Sequence, residues 1–346
     1  MAGGLLAYSG LVTKTKAMHG RLLSNEEIAR LSEAESVEEI IAFLREYGSY
    51  APIYQSHEEI AHRAQVEAVI NDSLYADYGR LYRFASGAQR EGLSIIFLRY
   101  EMNVLKDCLE RVRRGGDGRQ LSYLKLFFDR HADFDVAAVT SADSFAGLAQ
   151  ALEGTKYGAY FKEIQRQAAP DADGGIGLDI LYYRMAWEKK DRLSDGSMKK
   201  ICTKLLGTEI DWQNIMWMYR CKRFYGRGST RIAADMIPIR YRLKREELRA
   251  LLDTDSLEEF VAILGRTAYF TEKDAVVKLG DEITFGRIME KTYRQLCRSY
   301  PMSLAPVFRY LYDKENEIDR LTSVLEGVRY RIPARQIQEL VLETEA

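Results

Sequence analysis

The feature that most restricts what this chain can fold into is an internal repeat. Glu26-Glu27 recurs as Glu246-Glu247, Ser36 as Ser256, Glu38-Glu39 as Glu258-Glu259 and Leu44 as Leu264, all at one offset of 220 residues. A weaker copy lies between them. Ser144, Leu152 and Thr155-Lys156-Tyr157 precede Ser256, Leu264 and Thr267-Ala268-Tyr269 by 112. The first segment runs on to an aromatic at Tyr50, and the last to Tyr269-Phe270. Each segment reads as a helical hairpin, and the period of roughly 110 residues exceeds that of the common short helical repeats.

A second element closes each copy. Ile95, Leu98, Met102, Leu105, Leu109 and Val112 alternate by three and four, which makes one apolar helix face. Ile318, Leu321, Leu325 and Val328 repeat the last four of these 216 positions on. Trp212, Ile215 and Tyr219 form the middle copy, offset by 110, and Lys222 breaks its stripe. Polar residues keep the same register: Glu101 matches Asp211 and Glu317, Asn103 matches Gln213 and Asp319, and Arg113 matches Arg223 and Arg329. Apolar matches are common between amphipathic helices. An acid, an amide-like group and an arginine held in register three times are not. The expectation is an all-α chain of three similar helical lobes, at 1–115, 116–228 and 229–346, joined at the glycine-rich stretches Gly115–Gly118 and Gly226–Gly228. Ala168 to Gly175 reads as a loop inside the middle lobe.

Composition narrows the function. Lys and Arg number 50 against 51 Asp and Glu, a formal charge of −1, so the broad basic field that nucleic acid requires is missing. No apolar run approaches the ~18 residues of a membrane span, and the first residues lack the charged flank of a signal peptide. A cytoplasmic chain with no bilayer insertion is expected. The scattered Cys108, Cys202, Cys221 and Cys297 read as free core thiols. His57 and His62 are five apart, which does not place two ligands on one helix face. No metal site and no cofactor are expected.

Catalytic motifs are missing too. Gly174-Gly175-Ile176-Gly177 lacks the spacing and the preceding strand of a phosphate loop, and Gly226-Arg227-Gly228-Ser229-Thr230 is a basic joint. The acid pairs Glu26-Glu27, Glu38-Glu39, Glu58-Glu59 and Glu258-Glu259 fall where helices start, and there they complement the helix dipole. Arg99, Asn103, Lys106, Glu110 and Arg113 form a polar stripe opposite the apolar one. Two readings of it stand: a solvated or lobe-joining face, and a lining presented to a partner.

At this point the residues resemble a known family. Leu6-Ala7-Tyr8-Ser9-Gly10, Lys14-Thr15-Lys16-Ala17-Met18 and Leu22-Leu23-Ser24 are similar to the start of the C subunit of V-type and archaeal-type ATP synthases, the counterpart of the eukaryotic d subunit. Asn103-Val104-Leu105-Lys106 resembles its Asn-Leu-Lys element. Pro306 to Tyr310, with Lys314-Glu315-Asn316-Glu317-Ile318, resembles its closing helix. The likeness spans the chain. It implies a funnel of three lobes about a pseudo-threefold axis, a non-catalytic rotor part peripheral to the membrane. The funnel receives an axle made of the D and F subunits, sits on a ring of membrane proteolipids and transmits torque for proton or sodium transport.

The repeated polar set is then expected near the axle cavity: Glu101, Asn103, Arg113, Asp211, Gln213, Arg223, Glu317, Asp319 and Arg329. The alternatives are a helical-repeat adaptor with an open groove, and an all-helical enzyme marked by a buried metal cluster.

Overall fold

The computed structural model describes residues 2–54, 63–114, 125–166, 175–226, 228–270 and 282–342. Gly115–Gly118, the loop up to Gly174, Arg227, His57, His62 and Glu58-Glu59 lie outside these. All regular structure among the described residues is helical.

The helices recur in one order. α1 (Ala2–His19) leads into a pair of short helices, α2 (Asn25–Ser32) and α3 (Val37–Glu46). The single turn α4 (Ala51–Tyr54) and two long helices, α5 (Arg63–Phe84) and α6 (Gly87–Arg114), follow. α7 (Lys125–His131) opens the next round, with the pair α8 (Val136–Ser141) and α9 (Phe145–Ala151), then α10 (Gly158–Arg166) and the long α11 (Ile176–Asp191) and α12 (Gly196–Arg220). The last round has α13 (Ser229–Ala234), the pair α14 (Arg245–Asp253) and α15 (Leu257–Leu264), and the long α16 (Glu282–Ser299) and α17 (Ala305–Arg329). α18 (Ala334–Leu342) is an addition.

Local chemistry sets the short pairs. The side chains of Ser36, Ser144 and Ser256 accept the backbone N–H three residues on, at 3.3, 3.2 and 3.2 Å, which caps the second helix of each pair. Glu27 and Glu247 reach back to the N–H groups of Ser24 and Lys244 at 2.7 and 2.8 Å. The acid pairs therefore act as helix starts. Cys108, Cys202 and Cys221 are buried and no cysteine is paired by a disulfide. Burial pushes the Cys108 thiol up to about 11 and the Cys202 thiol up to about 12.

The residues divide into two units, Met1–Arg90 with Tyr293–Ala346, and Glu91–Thr292. In the first, α17 is the central helix and packs against α1, α2, α3, α5 and α18. In the second, Trp212, Ile215, Met218 and Tyr219 of α12 pack on Leu251, Phe260 and Leu264 of the α14–α15 pair. Trp212 also stacks on Phe285 at 5.9 Å.

α12 ends in a π-helical turn, Cys221–Tyr225. This explains why Lys222 breaks the apolar stripe. Its ammonium donates to the carbonyls of Leu252 and Thr254, at the end of α14. Arg111 of α6 does the same for Thr140 and Ala142, at the end of α8, and 112 residues separate these carbonyl pairs. Each cation meets the electronegative end of a helix. In the third round, where Gly327 replaces the cation, Ile337 of α18 packs on that glycine and Gln338 donates to the Ala29 carbonyl at 3.2 Å.

Gly207 of α12 lies against Tyr241, and a Cβ on it would clash with the ring. Alanine is the better helix former by about 1 kcal/mol, but overpacking of this kind costs about 1–3 kcal/mol. Gly207→Ala is therefore expected to lower the denaturant midpoint. A raised midpoint would show that the Tyr241 contact yields easily.

Candidate functional site

The repeated acids occupy equivalent, buried positions. Glu101 on α6, Asp211 on α12 and Glu317 on α17 are 1%, 0% and 4% exposed. Each accepts hydrogen bonds from the turn that leads into a short-helix pair. Glu101 takes the Asp133 N–H at 2.8 Å. Asp211 takes the N–H groups of Tyr241, Arg242 and Leu243 at 3.1, 2.6 and 3.1 Å. Glu317 takes the N–H of Leu23.

Each acid also accepts a tyrosine hydroxyl from beyond the same pair: Tyr157 to Glu101 at 2.9 Å, Tyr269 to Asp211 at 2.6 Å and Tyr50 to Glu317 at 2.7 Å. A cation lies over each ring. Lys156, Arg242 and Lys314 sit 5.0, 5.4 and 3.9 Å from the centroids of Tyr157, Tyr269 and Tyr50. Lys156 and Lys314 also pair directly with Glu101 and Glu317 at 2.7 and 2.6 Å. A buried carboxylate is tolerated only when its lone pairs are satisfied, and here three or four donors meet each one. Carboxylate, phenol and cation thus form one latch, built three times.

The latch joins elements in an order that sequence spacing does not reveal. The acid of α6 holds α8–α9, the next pair along the chain. The acid of α12 holds α14–α15. The acid of α17 holds α2–α3, almost three hundred residues earlier.

The other register positions face outward. Asn103, Gln213 and Asp319 are exposed, and so are Arg113, Arg223 and Arg329. Within the polar stripe of α6, Arg99 donates to Glu209 at 2.6 Å and to the Tyr182 hydroxyl at 3.1 Å, and Lys106 pairs with Asp179. These two join α6 to α11 and α12. Arg113 lies 4.0 Å from Glu110. The three tyrosines are the members of the site that the repeated polar set does not contain. Their sequence signal is the aromatic that ends each copy.

Among the described residues there is no group of three His, Cys, Asp or Glu side chains that could hold a metal ion. No helix among them is long and apolar enough to cross a membrane.

Removing one partner of a buried hydrogen bond costs about 1–3 kcal/mol, and a change that strips the acceptor from four donors at once, as Asp211→Ala does, costs more. Tyr269→Phe should lower the unfolding free energy by the smaller amount and Asp211→Ala by the larger. The double variant should lose less than the sum, because both changes break one contact. Additive losses in chemical denaturation would dissolve the latch.

The pH dependence has a definite sign. Burial first, and then the neighbouring carboxylate, holds the Tyr157 and Tyr269 phenols far above the ordinary value of 10.0. Burial also raises Tyr47 and Tyr54 to about 12. The folded chain keeps these protons where the unfolded chain releases them. The stabilisation is therefore complete below pH 10.0 and is lost as pH rises through the raised values. The denaturant midpoint should fall from pH 10 upward. A midpoint flat to about 12 would contradict the burial.

Comparison with known proteins identifies the family. The family model of the ATP synthase (C/AC39) subunit matches residues 11–340. The chain is 22% identical to the A-type ATP synthase C subunit of Methanosphaera stadtmanae, over 95% of this chain and 86% of that protein. It is 24% identical to the C subunit of Methanococcoides burtonii (94% and 91% covered) and 24% identical to that of Archaeoglobus fulgidus (97% and 96%). This chain, with its recurring helices and latches, belongs to the ATP synthase (C/AC39) subunit family.

Proposed function

We propose that this chain is the non-catalytic central-stalk subunit of a V-type or A-type rotary ATPase. In this reading three lobes, at 1–115, 116–228 and 229–346, stand in a funnel about a pseudo-threefold axis. The funnel accepts the axle of D and F subunits and rests, on the cytoplasmic side, against the membrane proteolipid ring. It carries torque between ATP turnover and proton or sodium movement.

The observation that supports this most is the threefold latch. A torque coupler must not deform, and packed helices have low compressibility. Three buried carboxylates, each with several donors, tie every short-helix pair to a long helix. The acids Glu101, Asp211 and Glu317 serve from inside by fixing the long helices. The exposed Asn103, Gln213, Asp319, Arg113, Arg223 and Arg329 are the members of the register that meet the axle.

The test is charge reversal at two of the three arginines, Arg113→Glu with Arg329→Glu. Association with purified D–F axle should weaken tenfold or more, while the melting temperature stays within a few degrees, as exposed substitutions allow. An unchanged affinity would remove these residues from the interface.

A further inference from the structure

Two register-equivalent helix ends each carry an exposed aromatic beside an arginine. At the end of α12 Phe224 is 65% and Tyr225 60% exposed. After α17 Tyr330 is 63% and Ile332 41% exposed. The arginines lie over rings. Arg223 lies 5.0 Å over Phe224 and 5.7 Å over Tyr219, and it donates to the Tyr219 hydroxyl at 2.6 Å. Arg329 lies 5.4 Å over Tyr330.

Basic residues predominate at both ends, although at the second Arg335 is paired with Glu339 at 3.0 Å. From Trp212 to Ala234 the sequence has no acid while Arg220, Lys222, Arg223 and Arg231 are present; from Gly327 to Gln338 it has none while Arg329, Arg331 and Arg335 are present. The partial negative charge of a helix C-terminus accounts for basic residues there. It does not account for large rings left in water, which mark interaction sites when they cluster.

The first end is also braced. Lys222 fixes the π-helical turn to the Leu252 and Thr254 carbonyls, Cys221 is fully buried, and Gly226 turns the chain away at φ +54°. The rings are thus presented by a fixed support, and π-helical turns of this kind are frequent at functional sites.

We propose that these two ends are docking points for an acidic protein segment that carries apolar side chains beside its carboxylates. Each guanidinium has N–H groups beyond those already used, Arg223 spending one on the Tyr219 hydroxyl, and these suit a carboxylate; the rings supply the apolar contact. Tyr, Phe and Arg are the residues enriched in interface cores. The proposal deepens the assembly reading above and rests on it only for the source of the segment, an axle subunit.

The test places the photo-crosslinker p-benzoylphenylalanine at Phe224, and separately at Tyr330, in the full chain within the assembled complex. A cross-link to an acid-rich segment of an axle subunit is expected. Phe224→Ala and Tyr330→Ala should each weaken axle binding about tenfold without shifting the melting temperature, since both rings are exposed. Raised salt should weaken the unmodified complex further. Cross-linking to an acid-rich segment of a different subunit would keep the docking chemistry and defeat the axle assignment. Cross-links to a segment without acids, or full axle affinity in both alanine variants, would overturn the proposal. So would binding to phosphatidylglycerol vesicles that Phe224→Ala abolishes, because the site would then be a lipid site.

Discussion

A carboxylate taken out of water must find its hydrogen bonds inside the fold, and this chain meets that demand at three places with the same partners. The turn entering a short-helix pair has backbone N–H groups with no helical acceptor of their own. Glu101, Asp211 and Glu317 supply the acceptor, and a tyrosine from beyond the pair supplies the last donor. The apolar faces could slide along one another in several registers. The carboxylate cannot move without leaving polar groups unpaired, so it selects one register for each pair. A basic side chain then lies over each ring.

The three versions solve one problem with different atoms. Asp211, the shorter acid, reaches three backbone N–H groups and has no lysine. Glu101 and Glu317 take fewer N–H groups and add a lysine. The second brace varies in the same way. Arg111 and Lys222 cap the C-terminal carbonyls of α8 and α14, whereas α18 stands over α2. A repeat that keeps an interaction while exchanging its chemistry is hard to align from identities.

Much of this is legible in the amino-acid order, and the misses have physical causes. The serine caps, the acid pairs at helix starts and the long apolar stripes rest on spacing along one helix, and sequence carries that directly. Repetition alone groups the acids with Asn103 and Arg113, because all three recur. Yet at 3.6 residues per turn Glu101 shares the face of Leu98 and Leu105, while Asn103 points away. Helical phase, more than repetition, separates the buried member from the exposed ones. The π-helical turn hides another match. By offset Arg111 pairs with Cys221, but the added residue in the turn hands its role to Lys222. Which pair each long helix holds is not legible, since only tertiary contact assigns α8–α9 to α6 and α2–α3 to α17.

That last assignment bears on how the chain is made. The α2–α3 pair emerges from the ribosome well before α17, with Ile28, Ile40, Leu44 and Tyr50 destined for burial. The acceptor of the Tyr50 hydroxyl, Glu317, is synthesised 267 residues later. Until α17 is made, the faces of α2 and α3 that it covers lack that partner, and exposed apolar surface of this kind is prone to association. A product cut short before α17 would carry the same uncovered surface permanently. Completion of the α2–α3 packing therefore waits on the synthesis of α17.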